Sequence, residues 1–182
     1  MPFNYKTKPY DHQKEALLRS FARDNYAYFM EMGCGKSKVL IDNTTWLYEN
    51  KHIDTVIIVA PKGVYMNWKN AEIPTHLPDK VPNNIYVWKA SANKTEKKIL
   101  EGGVKTRDKL RILLVNVESF ATAKVIKYLE AFIHRSNFML AVDESTTIKN
   151  IKAKRTKSVL KIGDSAQYKR ILTGSPITQS PM

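Results

Sequence analysis

Short apolar runs alternate along the chain with longer stretches in which apolar residues recur every three or four positions. The apolar runs have the length of strands and occupy residues 26–30, 55–60, 85–88, 111–115, 137–142 and 170–172. The run at 138–142 contains no polar residue, which is typical of a strand buried on both faces of a parallel sheet. The pattern therefore predicts a parallel sheet built from these six runs.

Helical periodicity fills most of the intervals between the runs, at residues 11–23, 37–48, 64–71, 95–101, 118–132 and 154–162. Strands that alternate with helices form right-handed βαβ units, so we expect one α/β domain over residues 1–182 with helices on both faces of the sheet. The proline-rich stretch 73–82 is predicted to be non-helical, and the stretch 101–106, with two glycines, to be a flexible connection. Ligands of such domains bind at the carboxyl ends of the strands.

The segment from Glu31 to Ser37 has the features of a phosphate-binding loop. It contains Gly-x-Gly-Lys-Ser between a predicted strand and a predicted helix, although Met30 replaces the first glycine of the full pattern. In such a loop the backbone N–H groups face the phosphates, Lys36 reaches the β and γ oxygens, and the Ser37 hydroxyl binds Mg²⁺. The predicted loop residues are Met32, Gly33, Cys34, Gly35, Lys36 and Ser37.

Two acids follow the apolar run at 138–142. Asp143 and Glu144 come directly after it, at the expected carboxyl end of a buried strand. In phosphate-loop NTPases an acid at this position holds Mg²⁺, and the next acid can orient or deprotonate the attacking water. Together with the Gly-Lys-Ser loop, the pair predicts a site for ATP or GTP.

The charge of the chain points to a polyanionic partner. The formal net charge is +13 over 182 residues, and the pI is near 9.7. Six Lys or Arg and no acid lie between Lys149 and Lys161. An excess of this size favours binding to nucleic acid.

The remaining composition restricts the class of protein. One cysteine, Cys34, excludes an internal disulfide and a metal site built from cysteines. No apolar run approaches the length of a membrane span, and the N-terminus lacks the apolar region of a signal peptide. We expect an intracellular, cytoplasmic protein with no membrane partner.

Read in order, the motifs resemble those of the first RecA-like domain of superfamily 2 helicases and translocases, and within these the SWI/SNF-type DNA-dependent ATPases. Residues 8–13 are similar to the glutamine motif, 31–37 to motif I, 57–62 with Trp68 to motif Ia, and 114–120 to motif Ib. Residues 143–146 stand at motif II, and Leu-Thr-Gly-Ser-Pro-Ile at 172–177 resembles motif III. The resemblance covers essentially the whole chain.

The resemblance implies a RecA-like phosphate-loop domain that binds ATP and Mg²⁺. Gln13 would bind adenine, Lys36 the phosphates, and Ser37 and Asp143 the metal. Glu144 would position the hydrolytic water as the catalytic acid-base group, with Asp143 and Lys36 also in the catalytic set. Thr173 and Ser175 would couple the nucleotide to DNA.

The resemblance also implies contacts to the DNA backbone, which suit a motor that steps along any sequence. The implied contacts are Lys62, Asn67, Trp68, Asn116, Ser119 and Lys149. Trp68 could instead pack in the core, and the basic residues after Lys149 could instead face a second domain.

Two features depart from the family pattern. Ser145-Thr146 replaces Ala-His in motif II, a variant that also resembles phage and prophage members, so the coupling usually assigned to that histidine must run through a hydroxyl or be absent. The second RecA-like domain, with its arginine finger, is not found in the 182 residues, so we expect weak or absent ATP hydrolysis by this domain alone. The alternative function is a basic nucleic-acid-binding module with a vestigial nucleotide site; motif III argues against a third possibility, a small-molecule kinase.

Overall fold

The computed structural model describes residues 3–105, 108–148 and 150–174. Within these ranges six strands form one sheet: β1 (Asn25–Phe29), β2 (Thr55–Ala60), β3 (Asn83–Val87), β4 (Leu110–Asn116), β5 (Phe138–Val142) and β6 (Tyr168–Thr173). Every pair of neighbouring strands is parallel, and the spatial order is β1-β6-β5-β2-β4-β3. Each of the six apolar runs is a strand, which confirms the predicted parallel α/β fold.

Helices connect the strands. The longer ones are α1 (Asp11–Ser20), α2 (Lys36–Glu49), α5 (Lys94–Lys105), α6 (Ala123–Ile133) and α7 (Lys154–Asp164). After β2 the chain forms α3 (Tyr65–Asn67), a π-helix (Trp68–Glu72) and α4 (Ile73–His76) in direct succession. Short 3₁₀ helices follow β4 (Val117–Ala121) and β5 (Ser145–Ile148).

The sheet separates two apolar cores because successive side chains of a strand point to opposite faces. In β2, Val56 and Ile58 belong to one core, whereas Ile57 and Val59 belong to the other. The first core is completed by residues of α1, α2 and the segment 65–76, and the second by residues of α5, α6 and α7. Helices therefore cover both faces of the sheet, as predicted.

Three predictions of local structure were wrong. Residues 101–105 are not a flexible connection, because α5 continues through both glycines to Lys105. The first residues of the stretch 73–82 are helical, because Ile73–His76 form α4 and Pro74 lies in its first turn. The predicted helix 118–132 is interrupted at Thr122, whose backbone is extended.

Candidate active site

The topology sets the motifs side by side along the carboxyl edge of the sheet. The phosphate loop follows β1, Gly174 follows β6, and Asp143 follows β5. Lys62 lies just beyond β2, and Asn116 is the last residue of β4. Motifs that occur in the chain in the order I, Ia, Ib, II, III therefore stand in space in the order I, III, II, Ia, Ib. The nucleotide motifs occupy one half of the edge and the candidate nucleic-acid motifs the other.

The phosphate loop has a left-handed backbone at both of its glycines. Gly33 has φ 79° and Gly35 has φ 78°, a conformation that side chains with a Cβ disfavour. Gly35 caps α2, so Lys36 is the first helical residue and the helix N-terminus faces the loop. The Lys36 ammonium donates to the carbonyls of Met30 (2.9 Å) and Glu31 (3.0 Å) and so lies over the loop.

Gln13 lies against the back of this loop. Its side-chain Nε2 donates to the Cys34 carbonyl at 3.1 Å, and its Oε1 accepts from the Tyr10 N–H at 3.0 Å. The His12 ring is 3.1 Å from the same Cys34 carbonyl. A cleft of about 540 Å³ lies beside these contacts, between α1 and β1. The glutamine motif therefore contacts the phosphate loop directly.

The Asp143 carboxylate is held by two donors. Its Oδ2 accepts from the Trp68 indole N–H at 2.9 Å, and its Oδ1 accepts from the Glu144 backbone N–H at 2.9 Å. Burial raises the pKa of the Asp143 carboxyl above its ordinary value, and the two hydrogen bonds and the nearby Lys36 charge oppose that shift. Trp68 and Glu144 thus fix the orientation of the Asp143 carboxylate at the end of β5.

Glu144 and Thr146 form the other half of motif II. Glu144 has a left-handed backbone with φ 49°, and its carboxylate accepts from the Thr146 hydroxyl at 3.2 Å. A non-glycine residue in this conformation is uncommon, and such strain concentrates at functional sites. The hydroxyl that replaces the family's histidine therefore contacts the acid predicted to position water.

Motif III packs on the phosphate loop. Thr173 is the last residue of β6, is 2% exposed, and is paired in register with Phe29 of β1. A Cβ on Gly174 would lie 3.1 Å from Met32 Cγ and 3.4 Å from Met32 N. The backbone of Gly174 therefore lies close to Met32 of the loop. Ser175 lies outside the described residues.

The candidate nucleic-acid residues divide into exposed and buried groups. Lys62 and Asn67 are exposed, and the Asn67 amide donates to Glu72 at 3.1 Å. Trp68 is 1% exposed and Ser119 is 8% exposed. Neither buried side chain can make the surface contact to a phosphate backbone that the resemblance implied; the alternative of core packing is correct for Trp68.

The Ser119 hydroxyl has a local partner instead. The Asn116 Oδ1 accepts from the Ser119 N–H at 2.8 Å and from its hydroxyl at 2.6 Å. This arrangement caps the 3₁₀ helix after β4. Asn116 itself is half-buried. Lys149 lies outside the described residues.

The residues present fit a nucleotide with its magnesium ion. Within the described ranges no group of three or more His, Cys, Asp or Glu side chains could hold a metal ion alone. Magnesium in nucleotide sites is bound by one or two protein oxygens together with substrate phosphates and waters, so Ser37 and Asp143 are a sufficient set. The left-handed glycines leave the loop backbone free of side chains, as phosphate binding requires.

The sequence interpretation missed a buried ion pair in α2. Lys38 Nζ is 2.5 Å from Asp42 Oδ2, and the two side chains are 4% and 2% exposed. Burial raises the pKa of Asp42 to about 6 against the opposing effect of Lys38. The Tyr5 ring lies 5.0 Å from the Lys38 ammonium and covers the pair. The signal available in the sequence was the opposite charge at i and i+4.

The fold and the site define a RecA-like phosphate-loop domain. The family model described as SNF2-related domain matches residues 22–182. The chain therefore belongs to the SNF2-related domain family.

Solved structures of a SWI2/SNF2 ATPase core and of a helicase share this fold. The Sulfolobus solfataricus SWI2/SNF2 ATPase core in complex with dsDNA is 19% identical with a TM-score of 0.74, and the alignment covers 99% of this chain and 35% of that one. The UvsW helicase from bacteriophage T4 is 17% identical with a TM-score of 0.63, with 93% and 53% covered. The chain thus spans between a third and about half of these proteins, and it shares the fold of the aligned part. No curated protein sequence matches the chain significantly.

Among the described residues, no helix combines the length and the apolar character that crossing a bilayer requires.

Proposed function

We propose that this domain binds MgATP and is the N-terminal motor domain of a SWI/SNF-like DNA translocase or helicase. Joined to a second RecA-like domain, it would couple ATP hydrolysis to movement on DNA. The observation that carries the proposal is that the phosphate loop with Lys36 follows β1 and Asp143 follows β5, at the same edge of one parallel sheet. A cation for the phosphates and an acid for the metal are the two charges that phosphoryl transfer needs in one site.

The nucleotide roles follow from these positions. Lys36 would leave the Met30 and Glu31 carbonyls and bind the β and γ phosphates. Ser37 and Asp143 would hold the magnesium ion, which neutralises charge on the phosphates when bound. Glu144 would orient the attacking water, with its carboxylate steadied by Thr146. Gln13 would bind the adenine base and also stabilise the loop through its hydrogen bond to the Cys34 carbonyl.

The DNA roles are assigned to the other half of the same edge. Lys62, Asn67 and Asn116 are the members of the implied set that reach the surface there. The S. solfataricus ATPase core with the same fold is solved in complex with dsDNA. Motif III, packed on Met32 through Gly174, would carry changes in the phosphate loop toward the neighbouring domain.

Calorimetric titration of MgATP tests the nucleotide site. We expect the unmodified domain to bind and Lys36→Ala to lose roughly 30-fold or more in affinity, since a charge-assisted contact is worth about 2 kcal/mol or more. Lys154→Ala is the matched control, because Lys154 is also the first residue of a helix, but the helix is α7. The control should bind like the unmodified domain.

Other outcomes would favour the alternative. If the unmodified domain does not bind MgATP, while DNA affinity and its salt dependence survive Lys36→Ala, the domain is a basic nucleic-acid-binding module with a vestigial nucleotide site. Slow hydrolysis by the isolated domain would not count against the proposal, since the arginine of a second domain can supply roughly 10³–10⁵ in rate.

A further inference from the structure

Trp68 is the largest fully buried side chain of the described residues, yet it lies at the carboxyl edge of the sheet, beside the candidate active site. It begins the π-helix Trp68–Glu72 between α3 and α4. Single-turn π-helices are rare in proteins overall, but those that occur are often found at functional sites, where the wider turn redirects a side chain. Here the buried indole comes within hydrogen-bonding distance of a carboxylate that is 75 positions further along the chain.

The hydrogen bond from this indole completes the fixation of Asp143. The backbone N–H of Asp143 donates to the Val59 carbonyl at 2.7 Å, which extends the β2–β5 pairing by one residue. The Glu144 N–H holds Oδ1, and the Trp68 N–H holds Oδ2. Among the described residues, each carboxylate oxygen therefore has a single hydrogen-bond donor shown, and it keeps a further lone pair for another partner. The two donors set the plane of the carboxylate.

We infer that Trp68 is a positioning residue for the magnesium site, acting through Asp143. This inference rests on the proposed function, because it requires Asp143 to hold the metal of a bound nucleotide. Partners that orient a metal ligand are worth about as much as 10–100-fold in metal affinity. Asn67, the neighbour of Trp68, is exposed on the candidate nucleic-acid surface. A single peptide unit therefore joins this exposed residue to Trp68, whose indole donates to Asp143.

The test compares ATP affinity with and without magnesium. In calorimetric titrations of Trp68→Phe, we expect the affinity for ATP in EDTA to stay within about twofold of the unmodified domain. The gain in affinity on adding Mg²⁺ should fall by about tenfold or more. A merely structural role for Trp68 would lower both affinities together.

Trp88→Phe is the matched control. Trp88 is 5% exposed and its indole N–H has no hydrogen-bond partner among the described residues, so its replacement removes a buried indole without a contact to the site. The control should keep the full magnesium effect. If Trp68→Phe does not fold, Trp68 is replaced by benzothienylalanine, which preserves the ring shape and lacks the N–H, and the same titrations decide.

The outcomes separate the inference from the proposed function. An unmodified domain that binds no MgATP overturns the proposed function and the inference with it. An unmodified domain that binds MgATP, with an undiminished magnesium effect in the variant that folds, overturns the inference alone. A selective loss of the magnesium effect, absent in Trp88→Phe, supports it.

Discussion

At the scale of single residues, two glycines of the phosphate loop have the same backbone conformation and different surroundings. Gly33 and Gly35 have φ values of 79° and 78°. A Cβ on Gly33 would meet nothing within 4 Å, whereas a Cβ on Gly35 would collide with the Gln13 amide. The glycine pattern of the loop thus has two causes, backbone strain at both positions and close packing at only one.

These causes can be separated by substitution. Gly33→Ala should lower the free energy of unfolding by about 1–2 kcal/mol, the cost of a left-handed non-glycine residue. Gly35→Ala should cost about 0.5–1.5 kcal/mol more, because it also displaces the end of the Gln13 side chain and breaks its hydrogen bond to the Cys34 carbonyl. Urea unfolding of both variants measures the difference.

A double variant provides the control for this comparison. Gln13→Ala removes the side chain that the new Cβ would meet, so Gly35→Ala should cost no more than Gly33→Ala in that background. Equal costs of the two alanines in the original background would show that Gln13 is not packed on the loop.

At the scale of elements, α5 shows how tertiary packing decides the conformation of a glycine pair. Gly102 and Gly103 favour a flexible segment by intrinsic propensity. In the folded chain both are helical, and Gly103 is buried where a Cβ would lie 2.8 Å from the Tyr86 ring and 3.0 Å from the Phe132 ring. The second glycine is therefore required by the approach of α5 to β3 and α6.

We expect opposite effects of alanine at these two neighbouring positions. Gly102→Ala, with nothing within 4 Å of the new Cβ, should stabilise the domain by about 0.5–1 kcal/mol through helix propensity. Gly103→Ala should destabilise it by about 1–3 kcal/mol, because overpacking outweighs that gain. Thermal unfolding followed by circular dichroism gives both values. A stabilising Gly103→Ala would mean that α5 is not seated on Tyr86.

At the scale of the whole molecule, the net charge of +13 and the carboxyl edge of the sheet should make separate contributions to the proposed binding of DNA. The charge attracts any polyanion, because neutralised phosphates release counterions. The carboxyl edge would place the bound DNA at a specific location, since Lys62 and Asn67 lie beside the candidate nucleotide half of the site. The position of a lysine, and not its charge alone, should therefore decide how much it contributes to the affinity for DNA.

A pair of lysines tests this point. Lys62 lies at the carboxyl end of β2, and Lys109 lies just before β4 at the opposite edge; both are exposed. Lys62→Ala should weaken binding to a short DNA duplex several-fold and reduce the slope of log K against log salt by about 0.9, whereas Lys109→Ala should change neither much. Fluorescence anisotropy at several salt concentrations measures both quantities. Equal effects would indicate binding by net charge alone.

Much of the fold could be predicted because strand identity is a local property here. Each buried parallel strand is an apolar run, and β2 and β5 have their predicted positions to within a residue. The phosphate loop and Asp143 could be predicted for a related reason, since both directly follow such runs. The break in the helix at Thr122 and the helical conformation of Gly103 could not be predicted, because residues distant in sequence decide both.

The sequence by itself determined the parallel α/β class, the phosphate loop and the acids of motif II, since these depend on apolar periodicity and on residue types adjacent in the chain. Tertiary structure alone decided which motifs stand side by side, through the strand order β1-β6-β5-β2-β4-β3. It also decided that Trp68 faces Asp143 and not the solvent. The physical reason is that a buried indole needs an acceptor for its N–H, and only the assembled sheet brings that carboxylate within reach.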